Sequence, residues 1–322
     1  MRATLPQNPR LPLDQAPLRS LNELEFLLSE GRETLLQLAN WRENYAPFNQ
    51  VKPPKPHAKN VTAPKSRKID NPKEALKRVQ SKILKRLLVP IALPDFLFGA
   101  VPKRSVHGHA QRHLGAKTIV KMDIRSYYPN ITTRHVYKVW RVVLGCSPPV
   151  ASLLTRLTTC DFYLPQGAPT SPAIANLLLA SFYGPVLKAC TDKNVVVTVW
   201  VDDLTFSGDQ AREVIEIVRQ TLADNGFKAS RKKLKILGPR AAKLITGPRL
   251  GRDSIRACKV KKAEVRAGIY NLQRGFLTKS GRAKDIQSLQ GQITFIRTVC
   301  SADALKLQIQ LEKALALQNA VR

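Results

Sequence analysis

The sequence predicts an α+β fold, and three features carry that prediction. Val195-Val196-Val197-Thr198-Val199-Trp200-Val201 is a largely β-branched run, apolar enough to be buried on both faces of a sheet. Asp202-Asp203 follows, then a second short strand, Leu204-Thr205-Phe206-Ser207, stopped by Gly208, so the two carboxylates fall at a hairpin turn. Ile119 to Asp123 reads as a third apolar strand, and Pro129 bars its continuation as a central one. Helices surround these strands. Residues 74–89 place Leu76, Val79, Ile83 and Leu87 on one face at three- and four-residue steps, with Lys77, Arg78, Lys82, Lys85 and Arg86 facing elsewhere. Helical stretches over 263–274, 283–299 and 302–321 complete the chain.

The 322 residues suffice for a large core, and length alone suggests about two domains. Charge is the strongest compositional signal: 53 Lys+Arg against 23 Asp+Glu, a net +30. Such an excess calls for a polyanion, for which a phosphate backbone is the usual candidate. A membrane surface is the other, but the sequence shows no bilayer-spanning apolar run and no signal-peptide pattern, so a cytoplasmic, membrane-free setting is expected. Cys146, Cys160, Cys190, Cys258 and Cys300 are odd in number and lack any C-x-x-C, which argues against a disulfide scaffold or a zinc ribbon.

Along the chain, the first twenty residues read as an irregular arm. Ser20 then offers an N-cap, with Glu23 in capping-box position, for a helix that Gly31 ends, and a second helix is expected over 32–41. Residues 51–73 are Pro- and Lys-rich and read as an extended loop and strand, where Lys65 and Arg67 point to one side and suit a triphosphate. His107, His109 and His113 have no Cys or carboxylate at short ligand spacing, so a structural or nucleic-acid-contacting role is expected rather than zinc. There is no glycine-rich phosphate loop; a bound triphosphate must be held by metal ions and basic side chains.

Asp123 ends its strand, where a carboxylate can face a cleft. Leu164-Pro165-Gln166-Gly167-Ala168-Pro169-Thr170-Ser171-Pro172 is a loop feeding a helix over 173–188, with Ser171 as its cap. Gly167 allows backbone to approach a ligand closely, and the Gln166 amide can both donate and accept. Each feature alone has a plain structural explanation. Together, three carboxylates on two strands with a Gln-Gly loop between them fit two-metal nucleotidyl transfer, in which ions roughly 3.5–4 Å apart clamp the attacking and leaving oxygens. Mg²⁺ suits that task, since it takes few protein carboxylates and leaves positions for water and phosphate.

Met122-Asp123, the Leu-Pro-Gln-Gly loop ending in Ser171-Pro172, and Val201-Asp202-Asp203 stand in the order and spacing of a reverse transcriptase palm. The wider pattern resembles a bacterial retron reverse transcriptase: His109-Ala110-Gln111-Arg112-His113 is similar to that family's Asn-Ala-x-x-His, and Ile245-Thr246-Gly247 to its Val-Thr-Gly. The resemblance implies a right-hand polymerase: an N-terminal arm and helices over 1–50, a basic fingers-like region over 51–115, a palm over 116–240 with an insert near 140–165, and a basic helical thumb over 241–322. It implies that Asp123, Asp202 and Asp203 are catalytic and hold two Mg²⁺ ions. Tyr128 becomes the gate against a ribonucleotide's 2′-OH, and Gln166, Gly167, Lys65, Arg67 and Lys233 contact the dNTP, Lys233 as a possible proton donor to pyrophosphate. His109, His113, Arg231, Lys232, Lys259, Lys261, Lys262 and Arg266 are the expected nucleic-acid contacts. Two departures stand out: Trp200 replaces the usual Tyr of Tyr-x-Asp-Asp, and His109 replaces an Asn.

The same resemblance implies a cognate structured RNA that is both template and primer, synthesis from an internal guanosine 2′-OH, a product of DNA joined to RNA, and a neighbouring effector or toxin protein in phage defence. Three other readings stay open: a group II intron-like or abortive-infection polymerase, an RNA-binding scaffold restraining a toxin, and a basic structural protein.

Overall fold

Four antiparallel strands form the sheet on which the site is built, in the order β4–β5–β3–β6. These are β3 (Ile119–Asp123), β4 (Val196–Trp200), β5 (Asp203–Ser207) and β6 (Lys235–Leu237). Two hairpins stand apart from it: β1 (Tyr45–Val51) with β2 (Ser66–Pro72), and β7 (Arg249–Leu250) with β8 (Ile255–Arg256). The computed structural model describes residues 17–51, 66–251, 253–274 and 282–320; Lys65 lies outside the described residues.

Helices cover the sheet and fill three apolar clusters. The largest runs from the N-terminal helices through the sheet to Phe227, with Trp140, Tyr183, Phe206 and Phe227 among its fully buried side chains. A second is built by the C-terminal helices Lys259–Gln273, Arg282–Val299 and Ser301–Ala320 with Ala257 just before them, centred on Val265, Ile269, Ile293, Ile296, Leu307 and Leu311. A small third cluster joins them: Ala110, Ile119, Ile245, Leu250, Ile255 and Val299.

The local differences from expectation have physical causes. Ser20 caps the helix Leu21–Leu28 by accepting the Glu23 N–H at 3.2 Å, but the Glu23 carboxylate takes the Arg19 N–H at 2.8 Å, so the reciprocal half of the capping box is shifted by one residue. The helix from Glu74 turns π-helical over Leu84–Leu88, and the extra residue rotates the stripe so that Leu88, not Leu87, completes the buried face. The helix expected over 173–188 is two helices, Ser171–Phe182 and Gly184–Asp192. Pro185 cannot supply an N–H to the preceding turn, and the chain bends there by 61°. Ser171 is therefore the first helical residue and Thr170 the N-cap, without a side-chain capping bond. Among the described residues no single helix is long and apolar enough to cross a membrane; this bent pair passes only jointly, and its first half is largely buried in the core.

Candidate active site

The site begins with a hairpin held against physical preference. The turn between β4 and β5 is Val201-Asp202, one residue earlier than an Asp-Asp turn, so Asp203 already pairs with Trp200 in the ladder. Val201 has φ of 60°, a region glycine favours and a β-branched residue avoids. Such strain costs about 1–3 kcal/mol and persists only where neighbours over-determine it. The neighbours are on the spot: Val199 donates to Phe96 O at 2.7 Å, and its own carbonyl accepts from Phe98 N at 2.8 Å. Gly99 then lies so close that a Cβ there would sit 2.5 Å from Val201 N and 2.7 Å from its Cγ2. Asn176, a buried polar residue in a largely apolar helix, fixes Gly99 by donating to its carbonyl at 2.8 Å. Gly99→Ala is therefore expected to displace the turn and lower turnover by about 100-fold, as an ångström-scale misplacement does; single-nucleotide incorporation measures it, and near-wild-type rates would show that the turn tolerates the shift.

The strand register brings the three aspartates together. Asp123, the last residue of β3, is the direct partner of Asp203 at the start of β5. Asp202 follows from the backbone, since its carbonyl accepts from Ile124 N at 2.9 Å. Burial first, then the charges of Asp123 and Asp203, hold the Asp202 carboxyl above the usual carboxylate range. Asp203 is raised too, mainly by burial, with Lys121 pulling the other way. Lys233 stands against Asp123, its ammonium hydrogen-bonded to Oδ2. That bond first, and then the charges of the three aspartates, raise its pKa. A cation thus already sits on the cluster.

Among the described residues no three His, Cys, Asp or Glu side chains close into a preformed metal cage. The donor set nonetheless fits hard divalent cations. It is all carboxylate oxygen, two members resist ionisation where they stand, and a divalent charge would reverse that.

The nucleotide-side residues surround this cluster unevenly. Tyr128 is half-buried; burial and then the Asp202 charge push its hydroxyl up to about 12, with Arg67 opposing. Arg67 is exposed on β2. Gly167, expected to admit a ligand, admits protein instead: with φ of 127°, its missing Cβ would be 2.9 Å from Ile69 Cγ2 and 3.2 Å from Asp70 O. The Gln166 carbonyl accepts the Asp70 N–H at 2.8 Å, and Gln166 Oε1 is buried without a protein partner. Asp70 is the residue that sequence reasoning missed. It is buried, takes the Tyr163 hydroxyl at 3.1 Å and the Lys68 ammonium at 3.3 Å, and locks β2 to the Gln-Gly loop.

The nucleic-acid set divides. Arg231, Lys232, Lys259 and Arg266 are exposed. Lys262 is committed to Asp303 at 2.7 Å, bracing two C-terminal helices, and Lys261 reaches Glu264 at 3.3 Å. His109 and His113 are corrections to the expectation, because both are fully buried and neither has surface to offer a polynucleotide. His113 bonds Ser207 Oγ at 2.7 Å and Thr198 Oγ1 at 2.6 Å, clamping β4 to β5. His109 bonds Thr246 Oγ1 at 3.0 Å and stacks on Trp200.

Burial lowers His109 to about 4 and His113 to about 3, so both rings are neutral at pH 7. The sign of the linkage follows. Below pH 6.5 the unfolded chain takes up protons that the folded chain refuses, so these residues' contribution to stability is intact above that pH and is lost progressively toward about 4 and 3. Thermal midpoints recorded from pH 7 to 4 should fall, and less steeply in His109→Asn; equal slopes would contradict the assignment.

The family model for reverse transcriptase (RNA-dependent DNA polymerase) matches residues 53–262, more than half the chain. The chain is 27% identical over 250 residues to the Retron Ec86 reverse transcriptase of Escherichia coli, covering 77% of this chain and 76% of that one. It is 28% identical over 281 residues to the Retron Ec48 reverse transcriptase of Escherichia coli, covering 80% and 65% respectively. It is 27% identical over 258 residues to the Retron Mx65 reverse transcriptase of Myxococcus xanthus, covering 73% and 59%. The chain thus spans less than two thirds of the length of the Ec48 and Mx65 enzymes. The chain belongs to the reverse transcriptase family, and within it to the bacterial retron reverse transcriptases.

Proposed function

We propose that this protein copies part of a cognate structured RNA into single-stranded DNA joined to that RNA, using the RNA as template and primer. The observation that carries the reading is the register that sets Asp123 opposite Asp203, with Asp202 next to Asp203 in the β4–β5 turn and Lys233 bonded to Asp123. Bound Mg²⁺ would activate the attacking hydroxyl and stabilise charge on the phosphate and the departing pyrophosphate. Asp123, Asp202 and Asp203 would hold the ions. In the transfer, the primer oxygen bonds to the α-phosphorus, the bond to pyrophosphate breaks, and the hydroxyl proton passes to solvent water. Lys233 would donate a proton to the pyrophosphate, its bond to Asp123 giving way if Asp123 held an ion. Tyr128 borders the sugar, Arg67 the triphosphate, and Gln166, through its buried and unpartnered Oε1, lies in the loop beneath it. The hairpin β1–β2, the four-stranded sheet and the C-terminal helices act as fingers, palm and thumb, and a neighbouring effector in anti-phage defence is the proposed biological setting.

Nucleic acid that copurifies with the protein from its native host tests this. After separate RNase and DNase treatment, a short DNA of defined sequence joined to RNA is expected. RNA alone would support a scaffold, and DNA of no fixed sequence a template-independent polymerase.

A further inference from the structure

Two of the positions at which this chain departs from the motifs it resembles, His109 and Trp200, are 91 residues apart in sequence and ring upon ring in the structure. Their centroids are 5.6 Å apart and their planes 29° from parallel. The stack continues beyond His109: Phe98 lies 5.3 Å away at 35°, and the Arg104 guanidinium covers Phe98 at 5.9 Å. Arg104 is itself fixed, donating to the carbonyls of Leu93, Pro94 and Leu97. Four planar groups therefore run from an anchored loop to the residue that immediately precedes the strained Val201 and pairs with Asp203. The His109 ring also reaches away from the sheet, since Nδ1 meets Thr246 Oγ1 at 3.0 Å beside the cluster that joins sheet and C-terminal helices.

We infer that His109 is a positioning residue of the catalytic turn: stacked on Trp200, it fixes the backbone that presents Asp202 and Asp203, and the two departures form one compensating unit. Physical reasons favour the pairing. A larger indole in place of a phenol needs a flat partner, and an Asn side chain offers a small amide where imidazole offers a ring face. The neighbouring supports, Gly99 against Val201 and His113 across β4 and β5, restrain the hairpin on other sides and leave the Trp200 face to His109.

The activity arm of the test rests on the nucleotidyl-transfer reading; a spectroscopic arm does not. With full-length protein, Mg²⁺ and a synthetic RNA template–DNA primer duplex, His109→Asn and Trp200→Tyr are each expected to lower kcat for the first nucleotide about tenfold. KM for the nucleotide and Kd for the duplex should stay within twofold of wild type. The double variant, which restores the family's pair, should return to within threefold of wild type. Multiplying losses in the double variant, or single variants without effect, would overturn the inference. If His109→Asn does not fold, His109→Phe and His109→Leu decide it: Phe keeps the stack and should keep kcat, Leu fills similar space without a ring and should lose it, and equal behaviour overturns the proposal. In protein labelled with 5-fluorotryptophan, the Trp200 resonance is the one absent in Trp200→Tyr. It should move in His109→Leu while those of Trp41 and Trp140 do not, and an unmoved Trp200 signal overturns the stack even if the wild type makes no DNA. A wild type inert on the duplex, like Asp202→Asn, with the fluorine shift present, would instead remove the reading of the reaction.

Discussion

The Asp202→Asn/Asp203→Asn protein is expected to keep its RNA, unfold at a higher temperature than the wild type and make no DNA. The loss of synthesis should be at least roughly a thousandfold, about 4 kcal/mol of barrier, because no other described side chains offer paired carboxylates at the hairpin. The gain in stability follows from the direction of the pKa shifts. Both carboxyls are held above their ordinary value by burial, and Asp202 also by Asp123 and Asp203. A carboxyl with a raised folded-state pKa stabilises the fold only in its protonated form, below its unfolded value, and that contribution is gone once pH passes the folded value. Above the ordinary carboxylate range the pair is therefore a cost to folding, and a neutral amide of the same shape removes it. Mg²⁺ should raise the wild-type thermal midpoint by mass action and leave the double variant's unmoved. Equal midpoints with and without Mg²⁺ in both proteins would contradict the metal assignment to Asp202 and Asp203; undiminished DNA synthesis would contradict the site.

What was legible in the sequence follows from how locally each feature is determined. β3, β4 and β5 were legible because β-branched runs bounded by turn and stop residues declare themselves within a few positions. The aspartates were legible because strand ends and a hairpin are local features. The exact turn was not, since Val201 at positive φ runs against its own propensity and is imposed by Gly99 and Phe98 from another part of the chain. Asp70 and Tyr163 were invisible for the same reason: they meet across 93 residues, and neither belongs to a motif. Lys121 carried a faint signal, a lysine in an apolar strand two residues before Asp123 and so on its face. Burial lowers its pKa while Asp203 raises it, and its ammonium reaches Leu244 O at 3.2 Å. The histidines show the opposite failure. Their spacing alone does not report burial, and burial makes them struts of the sheet rather than contacts for RNA.

Binding to RNA should collapse with salt, and the way it collapses separates working cations from structural ones. A net charge of +30 on 322 residues brings counterion release into play, each phosphate contact adding about 0.9 to the slope of log affinity against log salt on a duplex and about 0.7 on a single strand. With six to ten contacts, affinity should drop by roughly 10³–10⁵ between 50 and 200 mM salt. Arg231 and Lys232 are exposed in the short helical turn Arg231–Lys233, whose Lys233 ammonium meets Asp123, so nucleic acid bound at the site is expected to reach them. The Arg231→Ala/Lys232→Ala protein should therefore bind with a slope shallower by about 1.4–1.8. Lys262 carries the same formal charge but holds Asp303, and a cation so engaged has little to give a phosphate. Lys262→Gln should leave the slope unchanged and instead loosen the contact between the helices Lys259–Gln273 and Ser301–Ala320, at about 1 kcal/mol or less for a pair that is not fully buried. Filter binding across a salt series, paired with thermal unfolding, reads both effects. A slope that fell equally in the two variants would mean that Lys262 leaves Asp303 for the nucleic acid, and a slope unmoved in the first would take the 231–233 turn out of the path of the RNA.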